Sequence, residues 1–330
     1  MKMSNTTFYS FLNKPLAKSF LAILVAFTMY SCSKPVKVNI PGFEEKIVIE
    51  GSIETGGFPF ILISKTKNVY SPTSQIEALG SYLTGAKVWV SDGTTTIQLT
   101  EICTDNLPAG MDTTVANFLG IPTELMGQVT VCAYVGLDNN FKGEVGKNYH
   151  LTVEFEGKTY EADSKILEPI DLINSYWKAE SKTPDYGYVH HFLKDPISMR
   201  NGYSYQVRRL NVDSTGQAID QRFFRPFMSY FDDEFFNGLT FEFFMDNPTT
   251  YDDESIDGKY RGLFHRGDTV EVKFSNYEHN LFRFLNAILQ QKIGGGSPMT
   301  LPANAVGNIS NGGLGAWIAF SPSFSTLICE

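Results

Sequence analysis

Residues 86–102, AKVWVSDGTTTIQLTEI, decide the fold. Ala86–Val90 is a β-forming run, Ser91-Asp92-Gly93 interrupts it, and TTTIQLTEI carries the chain back. Asp-Gly between strands favours the positive φ angles of a type I′ turn, so the stretch reads as a hairpin. Working outward, Ile47, Ile49 and Ile53 share one parity while Val48, Glu50 and Ser52 take the other, as in a half-buried strand. Gly56 and Gly57 then permit a reversal into residues 59–64. Downstream, pairing resumes at 128–135. Tyr149, Leu151, Val153 and Phe155 alternate with His150, Thr152, Glu154 and Glu156, and Gly157-Lys158 turns the chain into 159–162. About seven short strands in roughly 125 residues predict an immunoglobulin-like or transthyretin-like β-sandwich over residues 46–168. Residues 104–127, with Pro108, Gly110, Gly120, Pro122 and Gly127, read as a long surface excursion.

Glu168-Pro169-Ile170-Asp171 marks a boundary, because Pro169 ends extended pairing and an aromatic-rich composition follows. Residues 169–330 read as a second β domain, with strands near 186–193, 203–212, 221–230, 239–245 and 269–274. One helix over 275–291 interrupts them. Ser275 and Glu278 stand in capping-box spacing, Leu281, Leu285, Ile288 and Leu289 form an apolar stripe, and Gly294-Gly295-Gly296 with Pro298 stop it. The 330 residues include 26 Phe and 16 Tyr, enough aromatic volume for two mainly β cores.

The first 32 residues carry an address. Lys2, Lys14 and Lys18 precede the apolar run Phe20–Phe27 without an acid, and Ser31-Cys32 closes it. This is a secretory signal, too short by roughly ten residues for a membrane-spanning helix. A cysteine after a small residue at that place resembles a bacterial lipobox, with Met29, Tyr30 and Ser31 before it, so residues 1–31 are expected to be removed and Cys32 to carry lipid. Residues 32–45 are then a tether. Removing residues 1–31 takes away three lysines and no acid, leaving 24 basic against 36 acidic side chains, a net charge of −12. Such a chain is not a nucleic-acid binder.

Cys103, Cys132 and Cys329 remain, and three cysteines cannot all pair within one chain. In an oxidising compartment Cys103 and Cys132 join the two limbs of the excursion; the alternative is two buried free thiols. No CxxC or paired Cys/His spacing marks a zinc site. Asp253, Ser255, Asp257 and Gly258 imitate a calcium loop, but Phe264 stands where a bidentate Glu is needed. Lipase, zinc-protease, phosphate-loop and dinucleotide motifs are absent. His150 falls on a polar strand face, and neighbouring His190 and His191 point to opposite faces of a strand. No catalytic, cofactor-binding or metal residue is therefore expected.

Four blocks of the second half resemble a known family: Pro169-Ile170-Asp171; Phe192 through Asp195-Pro196 to Asn201-Gly202-Tyr203; Phe231 to Gly238, FDDEFFNG; and Gly307-Asn308-Ile309 with Gly312-Gly313-Leu314-Gly315. With Ile47–Gly51 and Gly85–Val88 in the first half, the chain is similar to the Bacteroidota lipoproteins classed as DUF4249. The resemblance implies a lipid-anchored envelope protein, often encoded beside a TonB-dependent outer-membrane receptor, with no established catalysis. The shared Gly and Asn positions are accounted for by turn geometry. The first acids after Cys32 are Glu44 and Glu45, so the face of the outer membrane stays open, with the cell surface favoured. Ten Phe and Tyr between Phe223 and Phe244 are expected to place one strand-pair face under the 275–291 helix and another against a partner. Phe231, Phe235 and Phe236 would dock on the receptor, inside a polar rim of Asp232, Asp233 and Glu234. The expected function is a non-enzymatic accessory or binding subunit of an uptake assembly, for a small molecule, glycan or peptide. A carboxylate-using surface hydrolase and an adhesive envelope protein are the alternatives.

Overall fold

Alternating apolar side chains build the first eight strands: β1 (Ile47–Glu54), β2 (Phe60–Lys65), β3 (Lys87–Ser91), β4 (Thr96–Gln98), β5 (Thr100–Cys103), β6 (Cys132–Val135), β7 (Asn148–Phe155) and β8 (Lys158–Lys165). The computed structural model describes residues 44–66, 81–107, 130–294 and 305–330, apart from Met228 and Asp252, together with Val115 and Gln128. The expected signal segment, Cys32 with most of the expected tether, and most of the 104–127 excursion lie outside the described residues. β1, β2, β6 and β5 lie side by side in one sheet and β4, β3, β7 and β8 in another. Ile49, Ile53, Ile61 and Tyr134 of the first meet Val88, Val90, Leu151 and Val153 of the second in a closed core. The run TTTIQLTEI is two strands. It breaks at Leu99, which is buried and bonds through its amide to the Val88 carbonyl at 2.8 Å. β4 stays with β3 while β5 crosses to β6, the corner by which one strand serves both sheets of a sandwich.

The Asp-Gly connection is longer than a type I′ turn. Ser91 pairs with Thr96, leaving four residues in the loop, and Gly93 alone of these takes a left-handed φ, 87°. Asp92 supplies the rest: its Oδ1 accepts from the amides of Thr95 at 2.7 Å and Thr94 at 2.9 Å, and its Oδ2 from Lys147 Nζ at 2.9 Å. The Thr95 amide, the Lys147 ammonium and the Thr94 amide hold its carboxyl down from 3.8 to about 2. A depressed carboxyl stabilises the fold above its unfolded pKa and loses that effect as pH falls toward the folded value. Asp92→Asn is therefore expected to cost about 1–2 kcal/mol at pH 7. The difference from the parent should shrink between pH 4 and about 2, as read by urea midpoints across that range; a constant difference would mean that the charge is not what matters.

The second half adds β9 (Leu172–Glu180), β10 (Thr183–Lys194), β11 (Asn201–Arg209), β12 (Tyr230–Asp232), β13 (Thr240–Met245), β14 (Phe264–His265), β15 (Thr269–Glu278), the helix α1 (His279–Gly294) and β16 (Leu314–Ile328). The protein is mainly β. β12, β11, β15 and β16 extend the first sheet to eight strands, and β9, β10, β13 and β14 form a separate four-stranded sheet over the added half. Between them Tyr203, Tyr205, Val272 and Phe274 pack against Val189, Leu193, Trp177 and Phe264. Of the expected 221–230 strand, only Tyr230 enters β12; Phe224 makes an isolated bridge to Val207.

β16 joins the two sandwiches. Leu314–Phe320 run parallel to β1, and Ser321–Ile328 run antiparallel to β15. Trp317 and Ala319 enter the first core; Leu327, of the same parity, enters the second. The expected division at 168/169 is thus bridged by a strand from the far end of the sequence, and the described residues cluster as one unit. The reading of the helix start is corrected. Ser275 and Glu278 do not cap it but belong to β15, paired with Ser204 and Asn201, and Ser275 is wholly buried. α1 covers Tyr277, Ala316 and Ile318 on the outer face of the large sheet, not the aromatics of β13. Gly202 lets it approach, since a Cβ there would lie 2.0 Å from Phe282 Cβ. Among the described residues no helix is long and apolar enough to cross a membrane.

Candidate functional site

Two loops at the α1 end of the second sandwich are tied together by buried acids. Asp195, just past β10, receives a hydrogen bond from the Tyr203 hydroxyl and another from the Gly238 amide at 2.8 Å. Its own amide bonds to the Leu239 carbonyl at 2.9 Å. Asp233, just past β12, accepts from the Asn201 amide at 2.8 Å, and its carbonyl accepts from the amides of Phe236 and Asn237 at 3.1 and 2.9 Å. Gly238 closes that turn with a φ of 77°, which a side chain resists. Both carboxylates are buried. Burial and the hydrogen bond to Asp195 together push the Tyr203 phenol well above its ordinary range, so it stays a donor. Such groups are costly unless partnered. Asp195 has a donor on each oxygen, the Tyr203 phenol and the Gly238 amide. Asp233 takes the Asn201 amide on Oδ2 and leaves its buried Oδ1 without a hydrogen bond among the described residues. These bonds fix loops 195–201 and 233–239 to one another.

What the clamp presents is apolar. Phe235 is 89% exposed, Ile197 79% and Leu239 56%, and the Ile197 side chain lies against Gly238, within 2.9 Å of where a Cβ would stand. The segment anticipated as a contact surface is thereby split by direction. Phe231 and Phe236 pack into the second core, Phe231 against Tyr203 and Phe274. Asp233 is no rim residue: it is fully buried, with Arg200 the nearest cation at 3.8 Å. Asp232 is half-buried, and Glu234 and Phe235 face outward. Ile197 carried no sequence signal, because an isolated apolar residue beside Pro196 reads as an ordinary turn end, and Leu239 reads as the start of the 239–245 strand, whereas β13 begins one residue later at Thr240.

The other candidates resolve into structure. His150 Nδ1 lies 2.9 Å from Asp163, its cross-strand neighbour, on an exposed face. His191 is buried between Ser175 Oγ at 2.7 Å and the Tyr205 hydroxyl at 2.9 Å. This serine–histidine pair has a phenol where a carboxylate would orient the ring, and burial pulls the imidazole down to about 3, too weak a base to activate a hydroxyl. Asp253 and Asp257 are spent on their own turns, accepting from the amides of Ser255 and Lys259. Cys103 and Cys132 are joined by a disulfide. Among the described residues the one cluster with metal-ligand spacing is Glu101 with these two cysteines, whose sulfurs are already bonded. Buried Cys329 is a free thiol, pushed up to about 12 chiefly by burial. In the Gly307–Gly315 block Asn308 binds both Trp317 N and Trp317 O at 2.9 Å, and a Cβ on Gly307 would meet Gly315 O at 1.6 Å. That block fastens β16 in place.

Fold and site together define a double β-sandwich built on one shared sheet, with a clamped pair of apolar loops at the junction of its second half. The chain belongs to the DUF4249 family, a domain of unknown function, and the match spans residues 33–323. No curated protein matches it.

Proposed function

We propose that the chain is a lipid-anchored, non-catalytic accessory subunit of a TonB-dependent outer-membrane uptake assembly, docking on its receptor through loops 195–199 and 233–239. The carrying observation is the rigid display of Phe235, Ile197 and Leu239 to solvent by two buried carboxylates. Water-exposed apolar tips cost solubility, and preorganised ones lose little entropy on binding, which is the character of an interface anchor. The address supports the place: Cys32 follows an apolar export signal, and the Cys103–Cys132 bond suits an oxidising envelope.

Affinity recovery from native membranes tests the reading. The doubly substituted Phe235→Asp/Ile197→Asp protein should keep its membrane fraction and recover at least about 30-fold less receptor, the effect of losing an interface anchor of 2 kcal/mol or more. Cys32→Ala should release the folded protein from membranes. Receptor recovery unchanged by the double substitution, or membrane retention unchanged without Cys32, would overturn the assignment.

A further inference from the structure

The outer face of the sheet formed by β9, β10, β13 and β14 carries a strip of aromatic rings that neither core uses. Along β10, Val189, His191 and Leu193 point inward while Tyr186, Tyr188 and His190 point out, at steps of about 7 Å. Each outward ring has a neighbour from another element. Tyr260 stacks on Tyr186 at 4.1 Å between centroids, Phe244 lies 4.9 Å from Tyr188, and Tyr176 stacks on His190 at 5.0 Å. Phe244 is 56% exposed and Tyr176 39%. Polar groups are fixed among them. Glu242 receives the Tyr176 hydroxyl on Oε1 and lies 2.9 Å from His190 Nδ1. Tyr260 sits on a short 3-10 turn capped by Asp257.

At the Tyr186–Tyr188–Tyr260 end the strip opens into a cleft of about 470 Å³ whose rim carries Lys182, Lys259 and Arg261 against Glu180 and Asp185. Lys259 lies 3.4 Å from Asp257, and Asp185 lies 3.5 Å from Arg266, so the rim charges nearly cancel. We propose that this strip and cleft form a binding site for a neutral glycan. Ring faces are electron-rich and attract the polarised C–H face of a pyranose. Carboxylates, ammonium groups and a guanidinium at the margin match its hydroxyl edge, which both donates and accepts. A protein partner would need a desolvated apolar centre, and here fixed charges interrupt the rings. An anionic ligand would meet a nearly neutral rim on a chain of net charge −9. The site is separate from the apolar loop pair, so either can fail without the other.

Titration calorimetry of the full chain in a detergent without a sugar headgroup tests it. Probes are malto-, cello-, xylo- and mannohexaose, with a galacturonate oligomer and a proline-rich peptide as contrasts. At least one neutral hexaose should bind. Tyr188→Ala and Phe244→Ala should each weaken binding about tenfold, the scale of one aromatic contact. Tyr188→Phe should retain binding, showing that the ring and not the fold is at issue, and Phe235→Asp should change nothing. No binding of any neutral hexaose at millimolar concentration overturns the proposal. So does binding indifferent to Tyr188→Ala and Phe244→Ala, or binding confined to the galacturonate or the peptide.

Discussion

Trp317→Ala is expected to lower stability by about 4–5 kcal/mol and to unfold both sandwiches in one transition. The indole is fully buried in the central stretch of β16. Its ring lies where Gly51 leaves room, since a Cβ there would stand 2.9 Å from Cε3. Its Nε1 donates to Tyr149 O across the sandwich at 2.9 Å. Removing it opens a cavity between β1 and β7 and takes away a hydrogen bond to the Tyr149 carbonyl, a further loss of about 0.5–1.5 kcal/mol. Against a total stability of order 5–15 kcal/mol this is a large fraction. The test is built into the sequence, because Trp89 and Trp177 are the other two tryptophans. Trp89 lies on β3 of the first sandwich and Trp177 in the second core. With Trp317 absent, single-reporter versions should show one shared urea midpoint, displaced from the parent's. If Trp177 kept the parent's midpoint while Trp89 moved, the cores would be independent and β16 no more than a loose edge.

That coupling was the part of the fold least visible in the chain. Ile47–Ile53 and Tyr149–Phe155 announced their faces, since each buries one parity, and a β-sandwich followed from counting such runs. β16 gave no such pattern. Its apolar stretch Ala316–Phe320 is buried on both faces, which removes alternation, and Pro322 argues against a strand. Proline is tolerated there because pairing with β1 has ended at Phe320, leaving one edge of the strand without a ladder. Ser275 and Asn276 hid the end of β15 for a related reason. They are polar yet buried, Asn276 donating to Glu168 O and accepting from Ser321, and polar residues before an apolar stripe resemble a helix cap. Tertiary partners decided both places, and a local pattern carries no record of them.

The contact segment was legible as a place but not as a direction. Dense aromatics marked residues 223–244, yet consecutive aromatics do not say which ring turns inward. Asp232-Asp233-Glu234 looks like a solvated run. The middle acid is nevertheless the buried clamp, because the Asn201 amide donates to its carboxylate while the turn after it closes on its backbone carbonyl. The Asp195–Asp233 clamp spans 38 positions and exists only once β11 and β12 pair.

Breaking the Cys103–Cys132 bond is expected to cost about 3–4 kcal/mol, the loop-closure effect for a ring of this size; the two cysteines are 29 positions apart. Their place sharpens the expectation. β5 is the edge of the eight-stranded sheet, attached to β6 through four residue pairs of which Cys103 with Cys132 is the last. Just beyond it Thr104 adds two bonds to the same neighbour, its amide donating to Val131 O and its hydroxyl accepting from Val131 N, each at 3.0 Å. A short edge strand frays easily, and the covalent link removes its freedom to leave. Reductant, or the Cys103→Ala/Cys132→Ala pair, should therefore lower the urea midpoint and raise amide exchange first in β5 and β6, with β11 and β15 affected less. Cys329 supplies the control, because a buried thiol held far above neutrality resists alkylation until the protein unfolds. Native protein should take up no label at residues 103, 132 or 329. If reductant left the midpoint where it was, β5 would owe its place to Leu99 and to the Tyr134–Glu101 hydrogen bond of 2.7 Å, and the bond between the cysteines would be incidental to the fold.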